Sequence, residues 1–365
     1  MAQFALLVGS SEFLARAKAD MAKARSRVLV QAMTFEGDAA GHSMAKEIDA
    51  CVAVDRRILV DDYTRHVIND RFLATTCDPV LRAEARATTA MFEQLIAGGT
   101  GVRVTNPVGH NPLRYPLRNH KKLLVIDDAA YLGGMNYSDH NFEWHDLMVR
   151  IDDPAVAEWL AQGFANDWNG QPAPRTAQIG EIGLLDANGC NNPAVFAPLF
   201  AALSGARRSL EVVSAYPTFP FVDAMAVAAQ NGSEVQIYSP RPSNKPIVRD
   251  YLVAVAERSR ISLRLTPMMT HAKAALIDGD MLVLGSGNFD FVSNRTNSEY
   301  VALVRDPGLV RDFTMRVLEP LRAGVNLPLA ANHSRWRGLR AEAGLRLADG
   351  AISLLRHGPR IAQWR

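Results

Sequence analysis

His120 and Lys122 stand two residues apart, four apolar residues run from Leu123 to Ile126, and Asp127 closes the pattern. Shortly after comes the turn Gly133-Gly134-Met135-Asn136. The same order returns at His271, Lys273 and Asp278, followed by Gly285-Ser286-Gly287-Asn288. Two copies with one spacing argue against chance. A neutral imidazole can attack phosphorus and split one hard displacement into two. A second, protonated imidazole can hand its proton to the leaving alkoxide and then take one from an alcohol or water. With an ordinary pKa of about 6.5, histidine fills either role near neutrality. Lys122 and Lys273 offer fixed positive charge to the phosphoryl oxygens, and Asn136, Asn288 and the Ser286 hydroxyl offer hydrogen bonds as substrate-binding groups. The set suits phosphodiester exchange. With two lysines supplying charge, no metal and no cofactor is expected.

The apolar run after each lysine reads as a buried strand, on which residues two apart share a face. His120 and Lys122 therefore point the same way, as do His271 and Lys273. The aspartates complete the catalytic set His120, Lys122, Asp127, His271, Lys273 and Asp278. Their odd offset from the histidines turns them to the other face, where Asp127 and Asp278 are expected to brace the following turn.

The echo between the halves extends upstream. Ala24 to Ala32 resembles Ala206 to Ala215, each a basic helix end running into a strand, and Ala45 to Val60 resembles Ala224 to Tyr238. The chain reads as a tandem duplication. Strands alternate with amphipathic helices in each half, which predicts an α/β unit with a mostly parallel sheet. The halves are expected at 1–175 and 193–325, with a Pro- and Gly-bearing linker at 176–192 and a basic amphipathic tail at 326–365. The stretch Asp62 to Met91 occurs in the first half only and is expected to be scaffold or rim.

At 365 residues the chain has room for two domains, and 48% hydrophobic with 21% charged residues is ordinary for a soluble globular protein. A net charge of +2 does not point to a nucleic-acid binder. Cys51, Cys77 and Cys190 are scattered, which argues against a disulfide scaffold or a zinc site. The first ten residues lack the pattern of a signal peptide, and no apolar run is long enough to span a membrane. The expected location is cytoplasmic, peripheral on the inner face of the cell membrane. From Ala331 to Arg365 seven Arg stand against Glu342 and Asp349, interleaved with leucines, Trp336 and Trp364. That composition suits an arm on an anionic surface, or a helix packed on the domain.

Duplicated H-x-K-x4-D with G-G/S-x-N resembles the phospholipase D superfamily over roughly residues 8 to 320. The flanks are most similar to bacterial cardiolipin synthases: Arg118 and Asn119 before the first motif, Trp144 with Asp146 after it, Phe164-Ala165-Asn166-Asp167-Trp168, and Asn297-Ser298-Glu299 after the second. The resemblance implies two similar α-β-α halves packed about a pseudo-twofold axis with one shared active site. It implies that Asp146 and Glu299 orient the histidines, and that the N-terminal histidine, His120, is the nucleophile with His271 as acid and base. It further implies phosphatidyl transfer or hydrolysis on glycerophospholipids through a phosphohistidine, with a phospholipid substrate, peripheral contact with anionic membrane and no obligate nucleic acid. Some members of the superfamily are nucleases, so the alternative is a phosphodiesterase acting on nucleic acid.

Overall fold

Strands buried on both faces need continuous apolar runs, while edge strands tolerate polar side chains. Both patterns occur in the computed structural model, which describes residues 2–108, 114–324, 335–355 and 361–364. The chain divides into two units, residues 1–173 with 358–365, and 174–357.

The first unit contributes seven strands to one sheet before residue 173: β1 (Gln3–Val8), β2 (Arg27–Ala32), β3 (Asp55–Asp61), β4 (Gly101–Thr105), β5 (Leu123–Ile126), β6 (Ala129–Gly133) and β7 (Leu147–Asp152). They lie in the order β1-β7-β6-β5-β2-β3-β4. Central β5 and β6 have no exposed side chain, whereas β1 at the edge does. Helices α1 (Ser10–Met21), α2 (Ala39–Ala50), α3 (Pro79–Ala97) and α4 (Pro154–Trp168) accompany this sheet. Local sequence starts two of them. Asp38 accepts from the Gly41 amide at the head of α2, and Asp153 accepts from Ala155 and Val156 with Pro154 in the first turn of α4.

The second unit repeats the plan with β8 (Arg175–Ile179), β9 (Ile182–Asn188), β10 (Ser209–Ser214), β11 (Glu234–Pro240), β12 (Ile261–Thr266), β13 (Lys273–Ile277), β14 (Met281–Gly285) and β15 (Ser298–Val304). Their order is β8-β9-β15-β14-β13-β10-β11-β12. Its main helices are α5 (Ala197–Ser204), α6 (Phe221–Gln230), α7 (Pro246–Arg258), α8 (Phe291–Arg295) and α9 (Arg335–Ser353). Each unit has its own core, around Phe35, Tyr131 and Phe92 in the first and around Phe196, Tyr251 and Phe291 in the second. The α/β class and the duplicated architecture read from the sequence are both present.

Three expectations need correction. The sheets are mixed, with parallel pairing confined to β2-β3-β4 and β10-β11-β12. Elsewhere the pairing is antiparallel, in part because tight turns such as Asp127–Asp128 join neighbouring strands and permit no other pairing. Residues 176–192 are no linker. They hold most of β8 and all of β9, which pair antiparallel from Arg175 opposite Asp186 to Ile179 opposite Ile182, and β9 pairs with β15. The glycines there serve turns, since Gly180 and Gly189 have φ of 55° and 83°.

The tail is not one arm either. Residues 326–334 and 356–360 lie outside the described residues. Helix α9 packs on α7, and β16 (Ile361–Gln363) pairs with β4, Ile361 opposite Thr105. Trp364, part of the stretch whose composition suited a surface arm, is buried in the first unit's core. Its ring lies 4.3 Å from that of Phe92, and the Arg65 guanidinium stacks over it at 4.3 Å.

Candidate active site

The strand register decides which residues can meet. Leu123 lies opposite both Leu132 and Gln31, and Gly133 lies opposite Met148. The lead-in to β5, the turn after β6 and the start of β7 therefore occupy one end of the first sheet. That end carries His120, Lys122, Asn136 and Asp146, all buried. The second unit repeats the placement, with Lys273 opposite Ser214, Ala274 opposite Leu284 and Gly285 opposite Val301. His271, Lys273, Ser286, Asn288 and Glu299 thus share the corresponding end of the second sheet and are buried too.

In the first unit Lys122 Nζ donates to the carbonyl of His120 at 2.8 Å, which folds the two motif residues onto each other. Residues on either side of His120 are pinned by buried ion pairs. Asp61, at the end of β3 and fully buried, accepts from the Arg118 guanidinium and from the Asn119 amide, both at 2.6 Å. On the opposite face Lys121 donates to Asp167 of α4 at 2.8 Å, and Gln31 Nε2 donates to the same oxygen at 2.7 Å. Asp61, Lys121 and Asp167 were not among the expected site residues. Their signal was weak, because an acid at a strand end becomes a clamp only when another loop is brought against it.

Asn136 is tied more loosely. Its Oδ1 accepts from the Thr34 amide at 3.3 Å and its Nδ2 donates to Asn141 at 3.4 Å. Asp146 accepts from the Leu147 amide at 2.8 Å and lies against Gly134, where a Cβ would come within 2.4 Å of its carboxylate. The glycine turn is therefore a steric requirement at Gly134. Next to Asp146, His145 is held below its ordinary pKa, first by burial.

In the second unit Lys273 Nζ meets His271 Nε2 at 2.9 Å. An ammonium can only donate, so Nε2 carries the lone pair and the ring proton sits on Nδ1. Glu299, fully buried, accepts from the Ser286 hydroxyl at 2.5 Å and from the Ser293 hydroxyl at 2.8 Å. Ser286 also accepts from the Tyr300 amide at 3.0 Å. Its single proton is spent on Glu299, so Ser286, expected to bind substrate, instead holds the carboxylate. Asn288 differs, because its buried Oδ1 has no protein partner. The Tyr216 ring lies edge-on to His271 at 6.1 Å, and Lys245 stacks over that ring at 4.2 Å.

The motif aspartates lie at the far ends of their strands, so their place in the catalytic set is corrected. Seven residues of extended chain separate Asp127 from His120, roughly 23 Å. Asp127 accepts from the amides of Arg25, Ser26 and Arg27 and from the Ser26 hydroxyl. Those bonds hold its pKa down at about 2, against the opposing pull of burial. Asp278 does the same for the amides of Arg207, Arg208 and Ser209, and is also held low. Both sit at left-handed φ, 47° and 53°. Their side chains brace the entry to β2 and β10, where the following turn was expected.

One acidic group near the first motif has no counterpart in the expected site. Among the described residues, Glu36, Asp38 and Glu84 bring carboxylate oxygens within 4.8 Å of one another. Burial first, then the neighbouring acids, pushes Glu36 up to about 9, so it holds a proton at neutral pH and shares it with Glu84. Glu84 lies in the stretch present in the first half only.

The family model described as "Cardiolipin synthase, PLD-like domain" matches residues 18–168 and 199–318. Cardiolipin synthase A of Yersinia pseudotuberculosis is 28% identical over 230 residues, covering 55% of this chain and 47% of that protein. The chain thus spans about half the length of the curated relatives it matches. Among solved structures, phosphatidylserine synthase of Haemophilus influenzae superposes with a TM-score of 0.69 at 17% identity, over 97% of this chain and 95% of that one. Polyphosphate kinase of Porphyromonas gingivalis superposes with a TM-score of 0.61 at 14% identity, over 96% of this chain and 56% of that one. At these identities the two structures speak for the fold alone.

Proposed function

Since this chain belongs to the family described as cardiolipin synthase, PLD-like domain, we propose that it transfers or hydrolyses the phosphatidyl group of glycerophospholipids at one site shared by both motifs. The observation that carries this reading is the repeated placement of a buried His-Lys pair at the same end of two similarly ordered sheets. Each motif supplies one of the two imidazoles that a double displacement needs. We assign attack to His120. Its ring nitrogen bonds to phosphorus as the bond to the headgroup oxygen breaks, and protonated His271 gives its proton to the departing alkoxide. In the second step neutral His271 takes the proton of an incoming alcohol or water, whose oxygen displaces His120 from phosphorus. The contact of Lys273 with Nε2 of His271 supports a neutral imidazole suited to that half-step.

Lys122 and Lys273 neutralise the phosphoryl oxygens as charge builds, and the open Oδ1 of Asn288 offers an acceptor to a hydroxyl of the acceptor molecule. Buried carboxylates behind the motifs, Asp146 and Glu299, fix ring orientation. The relatives named as cardiolipin synthases support a phospholipid as substrate. No helix among the described residues is long and apolar enough to cross a membrane. Contact with the bilayer would then be peripheral, on the inner face of the cell membrane.

The test is mass spectrometry of products from defined phospholipids in detergent, with and without glycerol, in chelator. Phosphatidic acid or a headgroup-exchanged lipid is expected, and activity should persist in chelator because ammonium groups supply the charge. Cleavage of single-stranded DNA without any phospholipid turnover would overturn the reading.

A further inference from the structure

Helix α9 has two unlike faces. Toward the second unit it sets Gly338, Ala341 and Leu345 against α7 and the core. A Cβ on Gly338 would come within 2.3 Å of the Ala254 side chain. Both acids of the helix turn to that side, Glu342 pairing with Arg258 at 2.5 Å and Asp349 with Arg295 at 2.8 Å. The opposite face carries Trp336, Leu339, Leu347 and, just past the helix end, Leu354. These are 74%, 55%, 76% and 82% exposed. At 100° per residue they fall on one stripe about 27 Å long. Arg340 lies within the stripe and Arg337 beside it, and both are exposed.

We propose that this face of α9 docks on an anionic phospholipid surface, a proposal that takes its choice of lipid from the phospholipid substrate proposed above. The stripe is a convex crest about one side chain wide, suited to sinking into a planar interface. An exposed apolar row of this length is unusual on a soluble surface. Its charge is sorted as well: the acids are neutralised against the domain while arginines remain at the crest, where anionic headgroups attract them. Tryptophan suits the boundary between headgroup and hydrocarbon.

The helix is also joined to the second motif. Arg295, the partner of Asp349, closes the short helix that begins three residues after Asn288. Arg346 stacks over Phe219 at 4.2 Å, and Phe219 stacks on Phe291 at 5.4 Å. Docking α9 therefore fixes the motif-bearing turn of this unit relative to the membrane surface.

The experiment is co-sedimentation of the full chain with vesicles of equimolar phosphatidylglycerol and phosphatidylcholine, and with phosphatidylcholine alone. One variant combines Trp336→Ser, Leu339→Ser and Leu347→Ser, and a second combines Arg337→Gln and Arg340→Gln. The triple variant should partition at least tenfold less onto both vesicles, with an unchanged melting temperature. The arginine variant should lose about fivefold per residue on anionic vesicles only, and added salt should mimic it. Turnover of a monomeric short-chain phospholipid should be the same in all three proteins. Wild-type binding by the triple variant overturns the proposal. So does a wild-type dimer that the triple variant converts to monomer in light scattering, which would make a second copy the occupant. Vesicle binding that the variants lose, in a protein that turns over no phospholipid, would sustain the docking face and sink the proposed activity.

Discussion

The carboxylate behind each motif is built differently in the two units. In the first it is Asp146, with a glycine facing it at position 134, and a Cβ there would lie 2.4 Å from the carboxylate. In the second it is Glu299, one methylene longer, and the facing position holds Ser286, which donates to it at 2.5 Å. A short acid needs an empty space opposite, while a longer acid brings its oxygens to a hydroxyl. The surroundings follow the same division. His120 is flanked by buried ion pairs through Arg118 and Lys121, whereas His271 has Thr270 and Ala272 as neighbours and its acid is held by two serines. Duplication has kept the buried His-Lys pair and changed how each is held in place.

The comparison is tested most severely at the histidines. His120→Ala and His271→Ala should each cut phospholipid turnover by about 10³-fold or more, and the double variant should be no worse than the worse single. Two independent sites would instead leave each single variant near half activity, and the product assay separates these outcomes. Breaking the ion pair of the first unit comes next. Asp167→Ala leaves Lys121 buried without its partner and should cost about 3–5 kcal/mol in urea unfolding. Replacing both, Lys121→Met with Asp167→Leu, should recover most of that loss, because an apolar residue already serves in the second unit at Ala272. Equal losses in the single and double variants would mean that packing volume, and not unpaired charge, sets the cost.

The reciprocal exchange of turn residues should have smaller effects. Gly134→Ser drives a side chain into Asp146 and should cost about 2–3 kcal/mol and turnover with it. Ser286→Gly removes one hydrogen bond to a buried carboxylate and should cost about 1–2 kcal/mol. If the two exchanges cost the same, matching of acid length to turn residue is not what distinguishes the units. Last is the brace at Asp127. Its folded pKa of about 2 lies below the ordinary carboxylate value. The unfolded chain therefore binds the extra proton first, so its contribution is full above about pH 4 and is lost as pH falls toward 2. Asp127→Asn should cost about 1–2 kcal/mol at pH 7, after allowance for solvent around a half-buried group. The gap to wild type should narrow steadily in melts from pH 4 to pH 2. A gap independent of pH would assign the role to shape and not to charge.

Much of this molecule is written in short-range pattern. Apolar runs of four residues behind each lysine read as buried strands, and repetition at fixed spacing announced two similar units. Residue type and spacing named the imidazoles and the ammonium groups, and the family resemblance pointed to the carboxylates Asp146 and Glu299. The failures share a different cause. The Pro- and Gly-bearing stretch at 176–192 resembled a linker because turn glycines look alike whether they join domains or the strands of a hairpin such as β8 and β9. Trp364 looked like an interfacial residue until strand pairing with β4 carried it into a core. Ser286 read as a donor to substrate because sequence does not reveal where a hydroxyl sends its one proton. Asp61, Lys121 and Asp167 were not read as one cluster, since they come together from a strand end, a motif lead-in and a helix far apart in the chain. Sequence determined which groups are present and which face of a strand they take, because these follow from chemistry and a period of two. Partner choice among buried polar groups was decided only by tertiary structure, because it depends on which distant backbone segment arrives within about 3 Å.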